Sequence, residues 1–441
     1  MTRSSKGKTV ASRRNFLKTA GLGGVGSAAV LAGLNQTASA QSSDPVVVGG
    51  PLPLTGGVAA DGAEFKRGLE MAAEEINAAG GILGRPIELA FEDTETKGDD
   101  VISSAAQRLI DRSNASVLIS GYNLGSQIAL QNVAADSSVL YMHADTARAH
   151  ADLVSNDPKR FWGSFMYCPS ELFYGFAYLD FIKNLEDTGQ FTPPNRKIAL
   201  ITGPITYSIN IAKAIEGRAK EYGYEISLYE TVQAPTSEWG PTLAKLRADP
   251  PAFIVNTHFF PQDQAQFMIQ FMNNPTDSLI YLQYGASLAA FRDIAGSASE
   301  GVLYATNIGV LSGVIGQDFT TTYLEKYGDK ASPNGGGQTY SALHLYAQAA
   351  ALAGGAGEPY EEEQNRKIAA RLKDSIYRTP LGVMRFHADT QSGYSYPVET
   401  DDPSLGMPHI FSQIKKKEDN GYIISPAPYD IAKFEKPSWM T

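Results

Sequence analysis

The segment Gly68-Leu-Glu-Met-Ala-Ala-Glu-Glu-Ile-Asn-Ala-Ala-Gly-Gly-Ile-Leu-Gly-Arg-Pro-Ile-Glu-Leu89 decides more of the fold than any other part of the chain. With the residues just before it, it carries an apolar stripe at positions i, i+4, i+7, i+8 and i+11: Phe65, Leu69, Ala72, Ala73 and Ile76. This spacing predicts an amphipathic helix. Gly80 and Gly81 follow the stripe, and glycines at that place predict a left-handed cap and a turn that end the helix.

Strand-like sequence lies on both sides of this helix. Residues 46–54, Val-Val-Val-Gly-Gly-Pro-Leu-Pro-Leu, run into the loop Thr55-Gly56-Gly57, and Ile87-Glu-Leu-Ala-Phe91 follows the helix. The three elements predict one β-α-β unit, with a glycine-rich loop at the carboxyl end of its first strand.

The same alternation continues along the chain. Helical patterns separate nine strand-like runs, which are residues 46–48, 87–91, 117–120, 139–143, 198–202, 225–229, 253–256, 279–283 and 302–305. Such alternation predicts an α/β fold in which helices cover both faces of parallel sheets. A chain of 441 residues favours two domains over one, and the number of strands would fill two small sheets.

Composition excludes several classes of protein. Hydrophobic residues make up 43% of the chain and charged residues 19%, which indicates a folded protein. The net charge of −10 includes six basic and no acidic residues in the first 40 positions, so the remainder is more acidic still. An acidic surface disfavours nucleic acid and anionic membranes as partners. A single cysteine, Cys168, excludes an intrachain disulfide.

The first 40 residues have the pattern of an export signal. Ser12-Arg-Arg-Asn-Phe-Leu-Lys18 fits the twin-arginine motif, a weakly apolar run occupies residues 20–33, and Ala38-Ser39-Ala40 fits a cleavage site. We therefore predict that residues 1–40 are removed and that a soluble product beginning near Gln41 resides in the periplasm. The G-x-G-x-x-G pattern of residues 21–26 lies inside this leader, so it does not indicate a dinucleotide site.

Three loops of the first half are candidates for a binding site, because ligands of open α/β sheets bind beyond the carboxyl ends of strands. The loops are residues 55–62, 121–126 and 144–148. The second loop contains Asn123, Leu124 and Ser126 and precedes a predicted helix, whose free N–H groups attract a carboxylate or another acceptor. The third offers a carbonyl, a carboxylate and a hydroxyl from Ala144-Asp145-Thr146.

Three motifs resemble those of a known family. They are G-G-(short loop)-E-F-x-x-G-x-x-x-A-x-x-x-I-N-x-x-G-G-I-x-G in residues 56–84, Ile294-Ala-Gly296 with Glu300-Gly301, and Thr339-Tyr-Ser-Ala342. The chain, over residues 45–425, resembles periplasmic solute-binding proteins of the leucine/isoleucine/valine-binding type, the receptor components of ABC importers. The resemblance implies the type I periplasmic binding protein fold, with two doubly wound parallel-sheet lobes joined by a three-strand hinge. It implies that lobe one is residues 44–165 plus 307–380, and lobe two residues 166–306 plus 381–441.

The resemblance also implies roles for individual residues. Asn123 and Thr146 match positions that hold an amino acid's carboxylate, and Ala144 matches a backbone carbonyl that receives the amine. Tyr207 and Phe259 match aromatic residues of lobe two that close over the ligand.

Four departures from the family pattern bear on the ligand. Tyr284 stands where the family has the lobe-two acid that pairs with the amine, Asp61 replaces an aromatic residue, and Asp145 replaces a small one. A bulky wall residue is replaced within residues 334–337, Asn-Gly-Gly-Gly, which would widen the site. We hypothesise that Asp61 or Asp145 takes over the cation and that the ligand is larger than leucine. The alternative is that each aspartate caps a helix or turn.

The resemblance and the export signal together predict the substrate-binding component of an ABC importer. Its expected partners are an amino acid, an amide or a related solute and a permease of the inner membrane, with no nucleic acid, and a monomer is expected. The six histidines lack metal-binding spacing, and no catalytic motif or cofactor motif is present, so no metal, no cofactor and no catalytic residue is predicted. A ligand-sensing receptor of the same fold, or an exported enzyme, is the alternative.

Overall fold

The computed structural model describes residues 44–95, 97–123, 127–419 and 421–440. The predicted signal peptide and two predicted site residues, Leu124 and Ser126, lie outside the described residues. The predicted α/β class is confirmed, and each of the nine predicted strands is a strand in the structure.

The first sheet has five parallel strands in the order β2-β1-β3-β4-β5. Its strands are β1 (Val46–Leu52), β2 (Ile87–Asp93), β3 (Val117–Ile119), β4 (Leu140–His143) and β5 (Ser164–Met166). The helices that connect them are α1 (Ala59–Ala78), α2 (Asp99–Asp111), α3 (Gln127–Asp136) and α4 (Arg148–Asn156). Strand β5 was not predicted, because it lies in an aromatic-rich stretch without alternation.

Helix α1 forms as its sequence predicts. The five residues of its apolar stripe are buried, with Phe65 and Leu69 at 0% exposure. Burial of a side chain as large as that of Phe65, Leu69 or Ile76 stabilises the fold by roughly 1.5–3 kcal/mol. Gly80 and Gly81 have φ values of 104° and 69°, and the Gly81 N–H donates to Ile76 O over 2.8 Å. The glycines therefore end the helix in the left-handed conformation that other residues disfavour.

The second sheet begins with five parallel strands. They are β6 (Lys197–Thr202), β7 (Glu225–Thr231), β8 (Phe253–Asn256), β9 (Leu279–Leu282) and β10 (Leu303–Thr306). The helices of this part are α5 (Leu172–Asp187), α6 (Thr206–Arg218), α7 (Gly240–Ala248), α8 (Pro261–Met272) and α9 (Ala289–Ala295).

The chain then returns to the first sheet. It forms α10 (Val314–Tyr327), α11 (Pro333–Leu352), α12 (Glu362–Lys373), β11 (Tyr377–Thr379), β12 (Gly382–Met384), β13 (Ser395–Tyr396) and β14 (Met407–Pro408). Helix α11 packs closely on α1, since a Cβ atom on Gly68 would lie 2.0 Å from Gly336 O. Glycine is required at that crossing because the two backbones approach too closely for a larger residue.

The last two strands, β15 (Ile410–Gln413) and β16 (Tyr422–Ser425), join the second sheet and complete the order β16-β15-β10-β9-β8-β6-β7. Both pairings, β10 with β15 and β15 with β16, are antiparallel, so this edge departs from the parallel sheet that we predicted. The chain passes between the sheets three times, after β5, after β10 and between β14 and β15.

The hydrophobic cores place part of the C-terminal region differently from the sequence expectation. Leu381, Met384, Phe386 and Met407 pack in the core of the first sheet, although residues 381–441 were assigned to lobe two. In the second core, only the half-buried Val398 precedes Phe411 within this C-terminal region. The reason is that Ser392 bridges to Met166 of β5 and that β12 contacts β14, and the sequence pattern reveals neither contact. The other lobe boundaries stay a prediction.

Among the described residues, no helix combines the length and the apolar character that a membrane span requires.

Candidate functional site

A cavity of about 340 Å³ lies between the carboxyl ends of the two sheets. Loops after β4, β6 and β9 form its walls, and Ile308 of the segment after β10 closes one side. Six of the predicted site residues line it: Ala144, Asp145, Thr146, Tyr207, Phe259 and Tyr284. These six come from both lobes, so the structure brings them together as one site. Contact of each with a solute stays a prediction.

The loop after β4 forms the lobe-one wall. Ala144 is fully buried, and its N–H donates to Gly121 O over 2.7 Å. Thr146 has a φ of 47°, in the left-handed region that non-glycine residues seldom adopt. This conformation turns the chain sharply into α4 and leaves Thr146 lining the cavity.

The carboxylate of Asp145 is engaged within lobe one. The side chain is only 2% exposed, its Oδ1 accepts from the Asn123 N–H over 2.7 Å, and its Oδ2 lies 2.9 Å from His143 Nδ1. His143 Nε2 lies in turn 3.0 Å from His150 Nδ1, and burial holds the pKa of His150 well below its usual value. Asp145 therefore ties two binding loops together, which favours the structural alternative over its hypothesised role as cation partner.

Asn123 also serves this loop structure and does not line the cavity. Its Oδ1 accepts from the Thr94 hydroxyl over 2.9 Å, and its Nδ2 lies 3.5 Å from Pro51 O. The side chain that we expected to hold a carboxylate is thus occupied by bonds within lobe one.

The lobe-two wall is aromatic. Tyr207, in the first turn of α6, meets Phe259 edge to face with ring centroids 5.3 Å apart, and Tyr174 meets Tyr207 at 6.0 Å. Gln283 Nε2 donates to the Tyr207 hydroxyl over 2.8 Å and fixes the ring. The start of α6, where Thr206 lines the cavity, presents N–H groups that have no partner within the helix.

Glu171 lines the cavity, and sequence reasoning missed it. It lies between β5 and α5 and is 2% exposed. Its Oε2 accepts from the Arg148 N–H over 2.6 Å and its Oε1 from Asn210 Nδ2 over 2.8 Å. Burial raises the pKa of this carboxyl group. Recognising β5 would have placed Glu171 beyond a strand end, which is the signal that could have found it.

Asp61 lies beside the cavity rather than in its lining. The Tyr284 hydroxyl donates to Asp61 Oδ1 over 3.2 Å. Burial raises the pKa of Asp61 to about 6, although the hydrogen bond from Tyr284 opposes this rise. Because Asp61 does not line the described cavity, the structure gives no support to its hypothesised role as the partner of the solute's cation.

The glycines of residues 334–337 do not widen the cavity, contrary to our prediction. They lie in α11, where a Cβ on Gly335 would meet Glu64 and a Cβ on Gly336 would meet the Tyr323 ring at 2.3 Å. They serve close packing of α11 against α1 and α10.

The charge of the lining is one-sided. It includes two acids, Asp145 and Glu171, and neither lysine nor arginine among the described lining residues. Aromatic rings and aliphatic side chains form most of the remaining wall. This combination suits a solute with a cationic group and an apolar body.

The same two-lobed arrangement occurs in known proteins. A family profile described as "Periplasmic binding protein" matches residues 45–395. A Silicibacter pomeroyi structure, provisionally described as a branched-chain amino acid ABC transporter, is 63% identical, covers 90% of this chain and 100% of its own, and superposes with a TM-score of 0.87. Leu/Ile/Val-binding protein homolog 2 of Brucella abortus (strain 2308) is 25% identical over 394 residues, 86% of this chain and 92% of the relative.

A further solved structure shares the fold at lower identity. The substrate-binding protein LivJ of Streptococcus pneumoniae, in complex with isoleucine, is 18% identical and superposes with a TM-score of 0.69 over 87% of this chain and 100% of its own. This likeness supports the fold alone.

Proposed function

Because this chain belongs to the periplasmic binding protein family, we propose that its cavity captures an amino acid or a closely related ammonium-bearing solute. Members of the family are substrate-binding proteins, and the chain is the substrate-binding component of an ABC transporter. The solute is held between two lobes that close by hinge motion.

Glu171 carries the proposal for the ammonium group. It is the cavity-lining acid whose hydrogen-bond donors are neutral, the Asn210 amide and the Arg148 backbone N–H, while the exposed Arg148 side chain exerts only a lesser electrostatic effect on it. A buried carboxylate with a raised pKa gains most from a cation placed beside it, because the cation offsets the desolvation of the charge. We therefore assign the ammonium to Glu171 in place of the family's lobe-two acid.

The carboxylate and the side chain of the solute have separate supports. The Thr146 hydroxyl and the open N–H groups at the start of α6 suit a carboxylate. Tyr174, Tyr207 and Phe259 suit an apolar or aromatic side chain. A volume of about 340 Å³ lies within the range of small-molecule sites and exceeds the need of leucine's side chain alone.

We further propose the cellular setting. The twin-arginine motif supports export as a folded protein and cleavage near Ala40, and the family supports a location outside the cytoplasm. The permease of the inner membrane would recognise the closed, monomeric form.

Thermal unfolding of the protein from Gln41 onward tests this function. The panel contains leucine, phenylalanine, 3-methylbutylamine and 4-methylpentanoate, so that each charged group of leucine is omitted in turn. A solute that binds only the folded state at 100 times its Kd stabilises it by about 2.7 kcal/mol. We expect the amino acids to raise Tm most, with the amine above the acid.

A shift with 4-methylpentanoate that equals the shift with leucine would contradict the assignment of Glu171. If no solute raises Tm, mass spectrometry of the denatured protein separates a site already occupied from a different ligand class.

A further inference from the structure

A hydrogen bond between Tyr284 and Asp61 joins the lobes beside the cavity, in addition to the bond between Glu171 and the Arg148 N–H. Tyr284 follows β9 in lobe two, and Asp61 lies in the first turn of α1 in lobe one, 223 residues away. The Tyr284 hydroxyl donates to Asp61 Oδ1 over 3.2 Å. Tyr122 of lobe one stands edge-on to the Tyr284 ring at 6.3 Å and to the Phe65 ring at 5.2 Å. These aromatic contacts hold the hydrogen-bonded pair out of water.

The backbone of Tyr284 is strained to make this contact. Its φ and ψ are 51° and −55°, and the Gly285 N–H donates to Gln283 O over 2.5 Å, which is the geometry of a γ-turn. Non-glycine residues seldom occupy this region, and such strain clusters at ligand clamps and switch regions. A Cβ on Gly285 would lie 2.3 Å from Phe259 O, so the turn is packed against the aromatic wall of the cavity.

Among the described residues, no ion pair includes Asp61, and the groups that face it are Tyr122, Tyr284 and Glu64. Glu64 is itself held by Arg67 Nη1 at 2.7 Å and by the Tyr323 hydroxyl at 2.6 Å. A negative charge on Asp61 is therefore costly whenever the lobes are closed around it.

We propose that Asp61 and Tyr284 form an inter-lobe latch that sets solute affinity, with Asp61 as a positioning residue outside the cavity lining, and that closure of the latch is favoured when Asp61 is protonated. The proposal rests on the proposed function, in that the latch closes the cavity assigned to the solute. A protonated Asp61 still accepts from Tyr284 through its carbonyl oxygen.

The direction of the pH effect follows from linkage. The pKa of Asp61 is about 6 in this closed arrangement, whereas separation of the lobes returns the carboxyl group to water and towards 3.8. The raised value means that closure takes up a proton, so the closed state is favoured at low pH and loses this advantage as the pH rises through 6. Between pH 7.5 and pH 5.0 the closed-to-open ratio should increase roughly tenfold.

Two variants of the protein from Gln41 onward test the latch. Asp61→Asn keeps the Oδ1 acceptor and removes the charge, while Tyr284→Phe removes the donor and keeps the ring. Tyr346→Phe is the matched control for Tyr284→Phe, since it removes a buried tyrosine hydroxyl within lobe one. Thermal unfolding identifies the solute, and titration calorimetry then measures its Kd from pH 5.0 to 7.5. Small-angle scattering gives the radius of gyration of the solute-free protein over the same pH range.

We expect the Kd of the unsubstituted protein to be roughly tenfold lower at pH 5.0 than at pH 7.5. Asp61→Asn should have the low-pH Kd throughout, Tyr284→Phe should bind more weakly at every pH, and the Tyr346→Phe control should keep the pH response. If Asp61 bound the solute's cation directly, Asp61→Asn would weaken binding and acid would raise Kd. Those opposite signs would overturn the latch.

The scattering measurement separates failure of the latch from failure of the proposed function. If no solute binds, the latch still predicts a smaller radius at pH 5.0 than at pH 7.5 for the solute-free protein, and a small radius at both for Asp61→Asn. A pH response that persists in Asp61→Asn, or a radius independent of pH in the unsubstituted protein, would overturn it.

Discussion

Replacing Gly68 by alanine tests the packing of α11 on α1, which involves the glycines that we had predicted would widen the site. The added Cβ would lie 2.0 Å from Gly336 O and 2.4 Å from Thr339 Oγ1, where 3.4 Å is the onset of ordinary contact. Neither neighbour can yield easily, because one is backbone and the other donates to Phe65 O over 2.6 Å. The helices must therefore separate.

Two effects oppose each other in this variant. Alanine is a better helix former than glycine by about 1 kcal/mol. Overpacking of a tight contact costs about 1–3 kcal/mol, and loss of the Thr339 hydrogen bond costs about 1 kcal/mol more. We expect Gly68→Ala to lower the free energy of unfolding by roughly 1–3 kcal/mol.

Gly217→Ala is the matched control. Gly217 lies in α6, is exposed, and has nothing within 4 Å of its added Cβ, so only the propensity effect remains. Urea unfolding followed by circular dichroism gives the free energy for each variant, and the control should gain up to about 1 kcal/mol. A stabilised Gly68→Ala variant would refute the reasoning, since it would mean that the helices do not approach as closely as the contact requires.

Three further predictions concern the site, acid stability and export. Glu171→Gln should raise Kd about 10- to 100-fold with unchanged circular dichroism, because a charge-assisted hydrogen bond contributes about 1.5–3 kcal/mol; an unchanged Kd would remove Glu171 from the site. Burial lowers the pKa of His409 from 6.5 to about 3, so the unfolded state takes up a proton as the pH falls through 6.5. The unsubstituted protein should therefore lose about 2 kcal/mol of stability through His409 between pH 7 and pH 5, and His409→Phe should not show this loss. An equal loss in both proteins would contradict this. Replacing Arg13 and Arg14 by lysine should leave uncleaved precursor in the cytoplasm, as immunoblots of cell fractions would detect, whereas normal cleavage would argue for another export route.

The α1 segment shows why local structure could be predicted. Its apolar stripe, its glycine stop and the strand that follows depend on residues within a few turns of each other, and burial of Phe65 and Leu69 followed from periodicity alone. The same reasoning predicted nine strands and placed Ala144 and Thr146 beyond a strand end. It missed β5, and with it Glu171, because Ser164–Met166 lies in an aromatic-rich stretch and lacks the aliphatic run that marks β3.

Side-chain roles were less predictable than positions. Asn123 and Asp145 occupy the expected loops, but their polar groups bond to Thr94, His143 and each other within lobe one. Whether a polar side chain of a loop faces a ligand or its own lobe depends on donors brought in by other strands. A sequence contains no record of those donors' positions.

The sequence by itself determined the α/β alternation, the order of the elements and the loops that reach the cleft, because helix and strand periodicity and turn glycines act over short stretches of chain. Only the tertiary structure decided that the glycines of α11 pack against α1, that residues 381–407 contribute to the first core and that Asp61 meets Tyr284. Each of these contacts joins residues far apart in the chain. Their distances and directions are set by how whole elements pack together, which no local pattern encodes.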